Sequence, residues 1–235
     1  MAPQNTLVAS NLAEIRERIA RSAARAGRAT EDITLVAVSK TFPSEAIRSA
    51  YELGLRHFGE NRVQEWESKQ AALADLAATW HLIGHLQSNK ARRAANLFDS
   101  VDSVDSVALA QKLDAAAASE AKRLKVLIEV HLGGEETKSG VPEADLPQLA
   151  ESIARLPHLE LLGLMTIPPY FDDTERVRPY FQRLRALRVQ VGAQIKVPLS
   201  VLSMGMSHDF EIAIEEGATE VRVGTALFGE RTKKA

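Results

Sequence analysis

The chain of 235 residues contains no cysteine, which excludes disulfide scaffolds, Cys-ligated zinc and thiol catalysis. The absence fits a reducing compartment. It also lacks an excess of charge of one sign: Lys plus Arg number 29, Asp plus Glu 31, and the formal charge is -2. Such a chain has no global field to attract nucleic acid or an anionic membrane. No apolar run approaches the ~18 residues needed to span a bilayer. The opening segment, residues 1–20, has no unbroken apolar stretch of signal-peptide length. No Pro/Gly/Ser-rich linker or low-complexity tract divides the chain. What is present is the ordinary globular balance, 45% hydrophobic and 26% charged. The expectation is a soluble, cytoplasmic protein, with residues 1–235 forming a single domain.

The first element predicted is a helix. Asn11 and Glu14 have capping-box spacing, with Asn11 as N-cap. Leu12, Ile15, Ile19, Ala23 and Ala26 recur at helical spacing, and Gly27 ends the helix. Residues 1–30 therefore carry an N-terminal helix, packed on the barrel, ahead of any strand. Short apolar or β-branched runs then alternate with segments of helical period. The runs are Ile33–Val38, Arg56–Phe58, Trp80–Ile83, Phe98–Val101, Lys125–Val130, Leu159–Leu164, Leu199–Leu202 and Glu220–Val223. The helical segments include Ser44–Leu53, Arg62–Leu76, Val107–Ala121, Leu146–Leu156, Glu175–Val191 and His208–Glu216. Eight strands, seven followed by a helix or helical start, read as repeated βα units. Several strands are apolar throughout, which suits a parallel sheet covered on both faces. An open doubly wound sheet usually carries a glycine fingerprint after its first strand. Here strand one runs into Val38-Ser39-Lys40-Thr41, without glycine. The fold expected is a single α/β TIM barrel, (β/α)8, with an extra N-terminal helix.

In such a barrel the working face lies at the C-terminal ends of the strands. Lys40 stands just past strand one. A lysine among strand ends is partly desolvated, which lowers its pKa and frees the amine for Schiff-base formation. The bland alternative is a surface lysine opening a loop. After strand seven, Ser203-Met204-Gly205-Met206-Ser207 leads into the helix His208–Glu216, with Ser207 as its cap. After strand eight, Gly224 and Thr225 open the short segment Ala226–Phe228. Loops after strands seven and eight plus a short extra helix often bind phosphate in barrels. Arg222 alternates with Val221 and Val223 and is expected to face the interior, where its plain role is an ion pair with Glu129 or Glu220. A Schiff-base lysine with a phosphate cup points to a phosphorylated aldehyde or ketone. Both pyridoxal phosphate and a sugar phosphate of a class I aldolase fit.

Other residues carry less. Asn61 is either a mouth residue or the N-cap of Arg62–Leu76. His81 and His85, four apart on a strand-loop segment, lack an evident third ligand, and no metal site is expected. Ser88 caps a helix, Met165 belongs to the core, and Lys138 is a solvated charge or a mouth residue. The run Arg176, Arg178, Arg183, Arg185 and Arg188 is a solvated helix face.

Taken in order, Ala37-Val38-Ser39-Lys40, Phe58-Gly59-Glu60-Asn61 with Gln64-Glu65, Trp80-His81-Leu82-Ile83-Gly84 with Leu86-Gln87-Ser88-Asn89-Lys90, Gly163-Leu164-Met165-Thr166, Ser203-Met204-Gly205-Met206-Ser207 and Arg222-Val223-Gly224-Thr225 with Phe228-Gly229 form a specific set. The chain resembles the pyridoxal phosphate homeostasis protein family, from about Ile33 to Arg231. The resemblance implies a barrel like the N-terminal domain of alanine racemase. It implies pyridoxal 5'-phosphate (PLP) held as a Schiff base on Lys40. Ser207, Gly224 and Thr225 match the phosphate cup, Arg222 the arginine facing the pyridine nitrogen, and Asn61 a contact near the ring hydroxyl. It implies a non-catalytic role in vitamin B6 and amino-acid homeostasis, with PLP-dependent apo-enzymes as partners. Phe42 stands where many members have lysine, and His131 where asparagine is expected. These two departures bear on a secondary transfer role for the mouth, not on primary binding.

An arginine at the pyridine nitrogen keeps that nitrogen unprotonated, so the ring is a poor electron sink. Racemases with this arrangement rely on two well-placed bases, the second from a separate β domain. With the sequence ending soon after strand eight, that domain is expected to be missing here, which suits carrying PLP better than catalysis. The alternative is a low-activity PLP racemase or lyase of the same fold, with Tyr170 or His81 as the second base to test. A near-neutral barrel without an obvious exposed apolar helix face is expected to be a monomer.

Overall fold

In the computed structural model, residues 3–133 and 139–229 are described; Lys138 and Arg231 lie outside them. Helix α1 (Pro3–Arg25) starts well before Asn11. The capping-box reading of Asn11 is therefore corrected: Asn11 sits inside the helix, and its Nδ2 donates to the Leu227 carbonyl at 3.0 Å. The spacing that marks a capping box also occurs within helices, and here a tertiary bond occupies the side chain. The predicted end holds. Gly27 is left-handed at φ 66°, and the Arg28 N–H reaches back to the Ala23 carbonyl at 2.9 Å. That is the 6→1 bond of a glycine-terminated helix. Val8, Leu12, Ile15, Ile19 and Ala23 are buried on one face.

Eight parallel strands follow: β1 (Thr34–Val38), β2 (His57–Glu60), β3 (Thr79–Leu82), β4 (Ser100–Val104), β5 (Leu124–His131), β6 (Leu159–Met165), β7 (Val201–Met206) and β8 (Glu220–Val223). Each pairs with the next, and β8 pairs with β1, so the sheet closes. The register fixes which residues share a level. Val36 lies opposite His57 on one side and Arg222 on the other. A two-residue bridge at Val141–Pro142 pairs with the end of β5. This is the (β/α)8 barrel expected.

Around the barrel run α2 (Ser44–Glu52), α3 (Val63–Leu73), α4 (Ala91–Leu97), α5 (Val107–Ser119), α6 (Leu146–Ala154), α7 (Arg178–Ile195), α8 (Phe210–Glu215) and α9 (Thr225–Phe228). The apolar sheet face and the inner helix faces form one continuous buried cluster. Ser88 does not cap a helix; it opens a 3-10 turn before α4, and its Oγ accepts from Lys112 Nζ at 2.9 Å. The basic run on α7 and its approach is outward and partly ion-paired. Arg178 meets Glu175, Glu215 and Glu216, and Arg183 meets Glu143. Among the described residues no helix is long and apolar enough to cross a membrane.

Candidate cofactor site at the barrel mouth

A cavity of about 430 Å³ opens at the C-terminal ends of the strands, and Lys40, Asn61, Ser207, Arg222, Gly224 and Thr225 all line it. A cavity of similar size lies at the opposite end, among Arg28, Asp32, Thr34 and Thr219. The mouth is where a barrel presents chemistry, and it is the end that holds Lys40.

Lys40 is carried by a tight turn. The ladder continues one residue beyond β1 through the Ser39 N–H to the Gly59 carbonyl at 2.9 Å. The Phe42 N–H then returns to the Ser39 carbonyl at 3.1 Å. Lys40 and Thr41 are the central residues of this turn, and Thr41 is left-handed at φ 69°. A positive φ at the third turn position is normally supplied by glycine or asparagine. A β-branched residue there is an outlier that costs of order 1–3 kcal/mol and persists only when its surroundings enforce it. Phe42, which itself lines the cavity, packs its ring on Phe228 with centroids 4.8 Å apart.

Asn61 follows β2 and is not a helix cap; Arg62 precedes α3. Its placement depends on Gly84, just past β3. A Cβ on Gly84 would collide with the Asn61 carbonyl oxygen and lie 2.9 Å from its Cα. Glycine is therefore required for the two loops to approach.

The loop after β7 departs from expectation. Ser207 does not cap α8, which starts at Phe210 after Asp209. Asp209 intercepts the turn by accepting from the Met206 N–H at 2.6 Å. This frees Ser207 Oγ to accept from the backbone N–H groups of Gly224 at 3.3 Å and Ala226 at 3.2 Å. The loops after β7 and β8 are thereby joined into one cup of hydroxyls and backbone donors, with Thr225 on its rim.

Arg222 is 3% exposed. One guanidinium nitrogen donates to Ser203 Oγ at 2.7 Å and another to the Thr166 carbonyl at 2.9 Å. Ser203 Oγ in turn donates to Glu220 at 2.6 Å. The direct ion pair with Glu129 or Glu220 is thus replaced by a relay through Ser203. Below it lies a polar column inside the barrel. His81 Nδ1 is 2.9 Å from Asp102 and 4.0 Å from Glu220, and His81 Nε2 is 3.1 Å from His57. Burial opposes a charged imidazole, but Asp102 and Glu220 outweigh it and hold His81 up at about 9. Burial and the Asp102 charge push Glu220 upward. Burial pulls Arg222 down against the pull of Glu220 and Asp102, yet a guanidinium stays charged in proteins. His81, Asp102 and Glu220 are close enough to face a common point.

The structure brings all six predicted residues to one cavity. It separates His81 from it: His81 is buried in the column, whereas His85 lines the mouth beside Asp105 at 3.2 Å. Tyr170 is 73% exposed and stacks on His208; neither it nor His81 lines the cavity. Met165 is fully buried, as expected of core. Glu129 is a mouth residue beyond the predicted site. Its Oε1 accepts from Ser139 at 2.8 Å, and burial lifts its pKa. Its signal was in the alternation of β5, where Leu127 and Glu129 share parity against Val126, Ile128 and Val130.

The family described as alanine racemase, N-terminal domain, matches residues 10–232. A curated relative from Aquifex aeolicus, "Pyridoxal phosphate homeostasis protein", is 50% identical and covers 94% of this chain and 96% of its own. The chain belongs to the pyridoxal phosphate homeostasis protein family. Within that family, the Pseudomonas aeruginosa protein is 47% identical over 95% of this chain and 96% of its own length. PipY of Synechococcus elongatus, solved with PLP bound, superposes with a TM-score of 0.85 at 42% identity, covering 94% of this chain and 100% of PipY.

Proposed function

We propose that this chain binds PLP as a Schiff base on Lys40 and holds it without turnover, in vitamin B6 and amino-acid homeostasis. The observation that carries the reading is the convergence of Lys40, Arg222 and the Ser207–Gly224–Thr225 cup on one cavity. The PLP-bound relative and the family's curated names support it. The donor set fits the cofactor: an amine for the aldehyde, hydroxyls and N–H groups for the phosphate, a guanidinium for the ring nitrogen. Asn61, which lines the same cavity, is assigned to the ring hydroxyl. Lys40 would supply the amine that captures the aldehyde, with water as the only by-product. PLP supplies an electron sink only when its ring nitrogen is protonated. Arg222 can only donate, so it suits an unprotonated ring nitrogen and offers no acceptor to a protonated one. The same reading makes the chain a cytoplasmic monomer of one barrel domain, delivering PLP to apo-enzymes.

The competing reading is a PLP racemase or lyase of low activity. Glu129 is the observation in its favour, a buried carboxyl lining the cavity on the strand opposite β1. The test is deuterium exchange at the α-carbon of alanine, serine and glutamate, against matched free PLP. Exchange within a small factor of free PLP is expected. Acceleration in the ~10⁶-fold range typical of enzymes would overturn the carrier reading.

A further inference from the structure

Behind the Lys40 turn lies a buried charge cluster for which the cofactor contacts give no reason. Lys69, on α3, is 8% exposed. Its Nζ donates to Glu60 Oε1 at 3.0 Å, to Glu65 Oε1 at 2.8 Å and to the Ser39 carbonyl at 3.0 Å. Ser39 Oγ donates to the same Glu60 oxygen at 2.7 Å. Glu65 also accepts from the Thr41 N–H. The residues on either side of Lys40 are therefore both tied to one cluster, Ser39 through carbonyl and hydroxyl and Thr41 through its amide.

Stability does not account for this arrangement. Burying an ammonium and a carboxylate, with a second carboxylate half-buried beside them, carries a desolvation cost that an apolar group of similar volume would avoid. The cluster is incompletely satisfied as well: among the described residues, Glu60 Oε2 is buried without a hydrogen-bond partner. What the charges do secure is direction. Thr41 is held left-handed at φ 69°, where its Cβ is unfavourable. With Thr41 released from Glu65 and Ser39 from Lys69, Thr41 would relax toward negative φ and turn the Lys40 backbone with it.

We infer that Lys69, Glu60 and Glu65 form a positioning clamp that holds the Ser39–Phe42 turn and aims Lys40 at its carbonyl ligand. The inference rests on Lys40 being the amine that captures PLP. Lys69, although a lysine near the site, works through its hydrogen bonds and not as a nucleophile.

The test compares PLP with pyridoxine 5'-phosphate, which keeps ring and phosphate but has no aldehyde. In Lys69→Met, affinity for PLP and the rate of imine formation are expected to fall roughly tenfold to a hundredfold, the penalty of misplacing a reacting group by about 1 Å. Affinity for pyridoxine 5'-phosphate is expected to stay within about twofold, because the cup and Arg222 are untouched. Adding Thr41→Gly is expected to restore much of the loss, since glycine adopts positive φ without enforcement. Glu65→Ala, on the partly exposed rim of the cluster, carries the same expectations if Lys69→Met does not fold. Equal losses for both ligands, or no rescue by Thr41→Gly, would show a merely structural cluster and overturn the clamp. If the wild-type protein itself bound both ligands alike and reduction trapped no imine on Lys40, the failure would lie with the Lys40 reading.

Discussion

Ser207 shows how a single hydroxyl acquires its role from what its neighbours take. Asp209 occupies the turn ahead of α8, so Ser207 is left to bind the N–H groups of Gly224 and Ala226. A phosphate in this cup would be expected to lose about 1–2 kcal/mol of binding when that hydroxyl goes, a factor of roughly 5–30. Ser207→Ala should therefore weaken PLP binding to that extent in an absorbance titration, and leave pyridoxal binding nearly unchanged. Parallel losses for the two vitamers would contradict the cup. At this scale the sequence was generous. Lys40, Arg222, Gly224 and Thr225 stand at strand ends, and strand ends can be read from apolar runs. Lys69 was hidden because burial of a lysine on an amphipathic helix depends on what its three acceptors do in space. The one local hint was the Glu65–Lys69 i,i+4 spacing.

Among elements, the closest approach that matters is between the loops after β2 and β3. Gly84 faces the Asn61 backbone with no room for a side chain. Gly84→Ala should cost about 1–3 kcal/mol of stability, as overpacking does, and should also weaken PLP binding by moving Asn61. Chemical denaturation checks the first and a PLP titration the second; an unchanged unfolding midpoint would contradict the account. All eight strands were legible from apolar runs, but their ends were less so. β4 was expected at Phe98–Val101 and runs over Ser100–Val104. Its polar Asp102 and Ser103 are buried, and a buried polar strand end resembles a loop in sequence. The start of α1 was missed for the related reason that Asn11 serves a distant carbonyl and not its own helix.

Across the whole molecule, the polar column under Arg222 links stability to pH. His81 sits at about 9 in the fold against an ordinary 6.5. A raised pKa means that the folded state binds the proton more tightly. The stabilisation is therefore full below about 6.5 and is lost as pH rises through about 9. Glu220, also raised by burial and by Asp102, acts in the same direction. Unfolding free energy should fall by on the order of 3 kcal/mol from His81 between these limits. His81→Gln should flatten that dependence, as read by denaturant titration at each pH; an equal slope in the variant would exclude His81 as its source.

The central claim, that the mouth captures PLP through Lys40, is tested most directly by reducing the PLP-loaded protein with borohydride and mapping its peptides. The account predicts a pyridoxyl group on Lys40 at a stoichiometry near one. A pyridoxyl group mainly on another lysine, or none at all while PLP remains bound, would contradict it.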